Sequence, residues 1–166
     1  MKYTNCPKCG NNLEQYKCTT CDFVFYQNSK PTASALIIKD NKILLGRRSI
    51  EPSKGMWDIP GGFCNYGEHP EDAVKREALE ETSLIVEPKE VLGIFMDEYG
   101  VDKESTLNIA YIVNIVGGEE KAGDDLEKLE WFSYDKLPSD IAFENGRQMI
   151  EAWKNQNRYE KNENKR

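Results

Sequence analysis

Histidine is almost missing from this chain: His69 is the only one among 166 residues. Zinc hydrolases built on several histidines are thereby excluded, and a Ser-His-Asp hydrolase is disfavoured because nothing else marks a nucleophile elbow. His69 itself stands directly before Pro70, where it reads as the start of a helix rather than as a base. Long apolar runs are absent too. No stretch approaches the roughly 18 residues of a membrane helix, and Met1-Lys2-Tyr3-Thr4-Asn5-Cys6 is no signal peptide, so a soluble cytoplasmic protein is expected. Positive charge is in deficit. With 22 Lys+Arg against 29 Asp+Glu the formal net charge is −7, which argues against a nucleic-acid surface and, on its face, against anionic substrates as well. Metal ions that bridge carboxylates to phosphates would resolve that conflict.

Cysteine, by contrast, is concentrated at one end. Cys6-Pro-Lys-Cys9 and Cys18-Thr-Thr-Cys21 are two C-x2-C knuckles, and Cys64 stands alone. Paired knuckles read as a tetrahedral Zn²⁺ site of four thiolates. Disulfides or a redox C-x2-C compete with that reading, and a cytosolic chain that keeps its thiols reduced favours zinc. The ion would be structural, since so short a segment has too little core to fold without it. Cys64 reads as a strand-end packing residue, with no second His to activate it.

Carboxylates form the other concentration. Glu77, Glu80 and Glu81 stand at i, i+3 and i+4, so on a helix they project side by side. Like charges so placed repel by roughly 0.2–0.5 kcal/mol per pair. A solvated acidic face is the bland reading. A divalent cation such as Mg²⁺, which takes oxygen ligands and serves phosphate chemistry, is the sharper one. The surroundings favour it: Ile59-Pro60-Gly61-Gly62-Phe63 is an apolar strand end running into a Gly pair that lets backbone approach a ligand closely. Pro70 then fits the first helical position, with Glu71 and Asp72 favourable to the helix dipole.

The coarse order of elements follows from alternation and turn residues. Thr32 to Lys39 and Lys42 to Gly46 read as a hairpin about Asp40-Asn41, and a helix spans about Pro70 to Thr82. Strands are expected over Glu90 to Glu98, Thr106 to Val116 and Glu130 to Tyr134, and a closing helix over Phe143 to Lys154. Strands interleaved with two helices indicate a mixed α/β sandwich. The expected organisation is a zinc ribbon over 1–30, a catalytic domain over 31–155 and a charged, frayed tail over 156–166.

Gly62, Glu68, Arg76, Glu77, Glu80, Glu81 and Leu84 together match the box G-x5-E-x7-R-E-U-x-E-E-x-G-U, where U is bulky aliphatic. Ala78 is a small U, and Ser83 replaces the last Gly, a costlier helix exit if that residue must adopt φ > 0. On this pattern the chain resembles the Nudix hydrolases. The resemblance implies an α/β/α fold and metal-assisted attack of water on a nucleoside diphosphate derivative. It implies Mg²⁺ or Mn²⁺ held by Glu77, Glu80 and Glu81 with the Gly61 carbonyl, support from Glu68, and Arg76 orienting a box carboxylate. Asp125 takes the place where relatives carry a further catalytic or metal-binding Glu, with Glu98 or Glu127 as substitutes and a solvated acidic loop as the competing reading. Arg47 and Arg48 are candidates for phosphate binding, against a solubilising role, and Trp57 and Phe63 for stacking on a base, against simple packing.

A cysteine ribbon ahead of such a domain is similar to that of NADH pyrophosphatases. Their S-Q-P-W-type segment is absent here, where the sequence reads Val91-Leu-Gly-Ile-Phe-Met-Asp-Glu-Tyr99-Gly100. The proline found past the box in many ADP-ribose pyrophosphatases is absent as well, and Tyr99 lies near a tyrosine of diadenosine polyphosphate hydrolases. The reading is a pyrophosphatase of a small-molecule nucleotide, ADP-ribose or an NADH-like compound first, a nucleoside triphosphate or diadenosine polyphosphate second. A non-catalytic nucleotide sensor and a ribbon that recruits a partner are the other classes. The resemblance also suggests a homodimer.

Overall fold

β-branched and aliphatic residues dominate the segments between Pro31 and Ile43, and alternate ones turn inward to opposite sides of one sheet. The computed structural model describes residues 3–163. Its main sheet is built on β3 (Lys30–Lys39), which folds back through Asp40 and Asn41, both at positive φ, into β4 (Lys42–Arg48). Before them lies a two-stranded ribbon, β1 (Leu13–Glu14) and β2 (Lys17–Cys18). After them come β5 (Trp57–Asp58), β6 (Gly61–Phe63), helix α1 (Pro70–Thr82), β7 (Leu84–Tyr99), β8 (Glu104–Gly118), β9 (Leu126–Ser133) and helix α2 (Glu144–Glu163).

The sheet is mixed. β3 runs parallel to β8 and antiparallel to β4 and β6; β7 pairs β8, and β5 and β9 pair β4, all antiparallel. Helix α1 lays Ala73, Val74 and Ala78 on one face, over Ala33, Ala35, Ile37, Val86 and Val113. Helix α2 lays Met149, Ile150 and Trp153 on the other, over Leu36, Ile43, Leu45 and Ala110. The result is an α/β/α sandwich with a core on each face. Truncating a fully buried side chain such as Leu44 would cost roughly 2–5 kcal/mol.

Helix α1 has the expected limits because both ends are set locally. His69 Nδ1 accepts the Glu71 N–H at 3.2 Å, Pro70 opens the first turn, and Ser83 closes the last in the left-handed region at φ 58°. Three expectations move. β7 begins at Leu84 rather than Glu90, since register shifts around Pro88 and Gly93 break the alternation without breaking the pairing. β9 begins at Leu126 rather than Glu130. The chain expected to fray after Lys154 continues as helix to Glu163, and residues 164–166 lie outside the described residues.

Candidate active site and metal centres

The two knuckles bring four sulfurs together. Cys6, Cys9, Cys18 and Cys21 lie with all Sγ atoms within 4.8 Å of one another, at 3.9 Å for Cys6 to Cys21, 3.5 Å for Cys9 to Cys18 and 3.6 Å for Cys9 to Cys21. A tetrahedron with Zn–S of about 2.3 Å has edges of about 3.8 Å, so the cluster fits zinc. Backbone N–H groups of Thr20 and Cys21 point at Cys18 Sγ, both at 3.4 Å, as a thiolate requires. Gly10, at φ 76°, makes the turn after Cys9.

The box residues meet where α1 passes the end of β6. Gly61 N–H donates to Glu81 Oε2 at 2.9 Å. A Cβ on Gly61 would come within 2.4 Å of the Ala33 carbonyl, and one on Gly62 within 2.5 Å of Glu77 Oε1, so the Gly pair is what admits both the sheet and the helix carboxylates. Burial pushes the Glu81 carboxyl up to about 8 in spite of the Gly61 bond, and burial also raises Glu77 against the pull of Arg76. Arg76 spans the group: it donates to Glu68 Oε1 at 2.8 Å and Oε2 at 2.9 Å, Glu77 Oε1 at 2.6 Å, Glu80 Oε2 at 3.0 Å and the Phe63 carbonyl at 3.0 Å. Its fork, with the Asn65 N–H, holds Glu68 down to about 2.

The three glutamates implied as metal ligands do not converge as the sulfurs do. Among the described residues, only the cysteine group gathers three or more Cys, His, Asp or Glu ligand atoms within 4.8 Å. Arg76 draws Glu77 and Glu80 to itself while Glu81 turns to Gly61, the relaxed answer to like charges at i, i+3 and i+4.

Beside this group opens a cleft of about 340 Å³. Asp58, Glu77, Glu81, Asp97, Glu98, Asp124 and Asp125 line it, with Arg48 and Arg76 as the cations. A donor set so rich in carboxylate oxygen fits a hard divalent ion. Asp125 is thus at the cleft, as is Glu98, whereas Glu127 pairs with Arg47 at 3.3 Å and does not line it.

The four substrate candidates divide. Phe63 lines the cleft, edge-on to Tyr99 at 5.3 Å. Trp57 does not: it is buried in the α2-side core, edge-on to Phe132 at 4.8 Å. Arg47 is held by the Gly55 carbonyl at 2.9 Å and also lies outside the cleft lining. Arg48 borders the cleft but is 6% exposed and committed to Asp58 at 3.2 Å, to the Pro52 carbonyl at 2.8 Å and to the Phe143 ring at 5.0 Å, so its job here is structural. Asp58, its partner, escaped the sequence reading. Burial pushes it up to about 6 against the pull of Arg48.

The loop after β8 is stitched to the end of α1. Lys121 N–H donates to the Thr82 carbonyl at 2.9 Å and Gly123 N–H to the Glu81 carbonyl at 3.0 Å, satisfying two of the carbonyls that a helix leaves open at its C-terminus. Asp124 and Asp125 follow directly, and Ser49 N–H fixes the Asp125 carbonyl at 2.7 Å.

Fold and site together define an α/β/α hydrolase with a carboxylate-rich cleft at a Gly-Gly strand end. Residues 28–153 match the family model described as NUDIX domain, and the chain belongs to the Nudix hydrolase family. It is similar to an ADP-ribose pyrophosphatase of Methanocaldococcus jannaschii, 39% identical over 132 residues that make up 78% of each chain. It is also similar to the NAD-capped RNA hydrolase NudC of Vibrio atlanticus, 30% identical over 82% of this chain, which spans about half (51%) of that relative. Among solved structures, a NUDIX hydrolase from Nitrosomonas europaea superposes with a TM-score of 0.74 at 26% identity, covering 89% of this chain and 88% of that one. No helix among the described residues is long and apolar enough to cross a membrane.

Proposed function

We propose that this enzyme hydrolyses the pyrophosphate linkage of a nucleoside diphosphate derivative, ADP-ribose or an NADH-like dinucleotide, with Mg²⁺ or Mn²⁺. The observation that carries the reading is one cleft with a carboxylate group built on Gly61, Gly62, Glu77 and Glu81 and an aromatic wall of Phe63 and Tyr99. The names of the Methanocaldococcus and Vibrio relatives point to the same substrate class.

Glu77, Glu80 and Glu81, with the Gly61 carbonyl, would hold the catalytic metal, which when bound neutralises phosphate charge and lowers the pKa of a water. The chain's own residues do the rest. Gly61 N–H fixes the Glu81 carboxylate, and Arg76, anchored on Glu68, sets the rotamers of Glu77 and Glu80. Asp125, with Glu98 as the substitute, accepts the proton of the attacking water. The water oxygen bonds to one phosphorus as the bridging P–O bond breaks, leaving two phosphomonoesters.

Cys6, Cys9, Cys18 and Cys21 would hold a structural Zn²⁺ in a ribbon over 1–30, ahead of a catalytic domain over 31–155. The reading places the protein in the cytoplasm, where such thiols stay reduced, and includes a homodimer, for which β7 offers exposed Val91, Ile94 and Met96.

The test is a panel of ADP-ribose, NADH, diadenosine polyphosphates and nucleoside triphosphates with Mg²⁺ or Mn²⁺, products assigned by phosphorus NMR. ADP-ribose should give AMP and ribose 5-phosphate. Triphosphates turned over faster than every diphosphate derivative would overturn the substrate class, and no hydrolysis at all would promote the sensor.

A further inference from the structure

The floor of the cleft carries two buried polar atoms that no partner among the described residues satisfies. Thr32 on β3 is the register partner of Asn108 on β8 and of Phe63 on β6, and all three line the cleft. Asn108, 5% exposed, spends its Nδ2 on Ser34 Oγ at 2.8 Å, which leaves Oδ1 without a donor. Thr32, 8% exposed, has an unpartnered Oγ1 beside it. Buried acceptors are matched in folded proteins because an unmatched one is destabilising, so two adjacent ones on the floor of a cleft mark the place of a ligand.

The chemistry of that ligand follows from what surrounds the pair. The wall is aromatic: Phe63 meets Tyr99 at 5.3 Å, and Tyr99 meets Phe143 at 5.7 Å. The neighbouring floor residues Ser34 and Thr106 are neutral, and Asp97 is engaged by the Asn145 N–H at 2.8 Å. A planar ring with N–H donors on its edge answers both features, giving a face to the aromatic wall and an edge to the floor. A sugar offers hydroxyls but no face.

We propose that Asn108 and Thr32 seat the nucleobase of the substrate, Asn108 Oδ1 accepting an N–H from the base edge and the Thr32 hydroxyl donating to the neighbouring ring nitrogen. This rests on the nucleotide reading of the same cleft, and its test reads binding rather than turnover, so that the two can fail separately.

The test titrates AMP and purine riboside 5′-monophosphate, which lacks the 6-amino group, into the Mg²⁺-loaded protein by calorimetry. The wild type should bind AMP about tenfold more tightly, the worth of one buried acceptor satisfied or left open. Asn108→Leu should bring the two ligands to within about twofold, by weakening AMP alone. Thr32→Val should weaken both, since both keep the ring nitrogen, and should raise the Tm by removing an unmatched buried hydroxyl. Equal binding of the two nucleotides by the wild type, retention of the AMP preference in Asn108→Leu, or no AMP binding at millimolar concentration would each overturn the proposal. If Asn108→Leu does not fold, the wild-type pair and Thr32→Val decide. A wild type that prefers AMP as stated but hydrolyses no nucleoside diphosphate derivative would leave the base seat standing and remove the enzyme reading.

Discussion

The thiol cluster and the helix carboxylates answer the same problem, holding like-charged ligands near one another, in opposite ways. The four sulfurs already stand near the corners of the tetrahedron that Zn²⁺ would need, held there by short knuckle turns with N–H groups aimed at Cys18 Sγ. The three helix carboxylates stand apart, two tied to Arg76 and one to Gly61. A closed structural site can be complete in the fold. An open catalytic one keeps its ligands on side chains free to be redirected when charge arrives.

The sharpest way to break that contrast is to neutralise the carboxylate already committed to the strand. Glu81→Gln should lower kcat by about 100-fold or more at saturating metal, as loss of a preorganised electrostatic group does. Glu80→Gln should do less, because in the fold Glu80 belongs to Arg76 and is half exposed. Near wild-type turnover of Glu81→Gln would remove the distinction.

The thiol side should respond in structure instead of in chemistry. Elemental analysis of the wild type should find one Zn²⁺ per chain, and Cys18→Ala should abolish it and cost residues 3–30 several orders of magnitude in amide protection, read by hydrogen exchange. The melting of the sheet with α1 and α2 should move by only a few degrees or less. A collapse of the whole protein would show that the ribbon and the sandwich are one cooperative unit.

A milder probe is pH. Glu81 binds its proton more tightly folded, at about 8, than at its ordinary 4.5, so unfolding releases that proton across the window and stability falls as pH rises through it. Asp58, raised from 3.8 to about 6, adds the same sign at the lower end. The Tm of metal-free protein should therefore decline from about pH 5 to about pH 8, and saturating Mn²⁺ should flatten the decline while releasing protons. An unchanged slope with metal would place the ion elsewhere.

The smallest expected effect has the opposite sign. Glu68 is held down to about 2 by Arg76, so the stability it contributes is complete above its ordinary 4.5 and is lost as pH falls between the two. Glu68→Gln should flatten the acid limb of the Tm profile in that window and lower the neutral limb by a near-constant amount, leaving its slope little changed.

Helix α1 was legible to the residue because its limits are local chemistry: His69 before Pro70 and a left-handed Ser83 after Thr82. The four-cysteine cluster was legible for the same reason, from the spacing of its knuckles. For Arg48 and Trp57 ligand binding stood against a solubilising or packing role, and what places them is tertiary: Asp58 and Phe143 bury one and Phe132 packs on the other. Asp58, Thr32 and Asn108 went unnoticed for the same cause. A signal was present, though. Thr32 and Ser34 alternate with Ala33 and Ala35, and Thr106 and Asn108 with Leu107 and Ile109, so polar residues recur with period two in strands otherwise apolar enough to be buried on both faces.

The amides of Lys121 and Gly123 on the last carbonyls of α1 also make a mechanical statement. The loop carrying Asp124 and Asp125 cannot swing away from the cleft without breaking both bonds to the last turn of α1, which carries Glu80 and Glu81, so the two halves of the carboxylate shell share one joint. A methyl group at Gly123 would sit 2.6 Å from the Glu80 carbonyl and wedge that joint open. Displacing the loop would thus strip the partners from the Thr82 and Glu81 carbonyls at the end of the helix that holds the carboxylates.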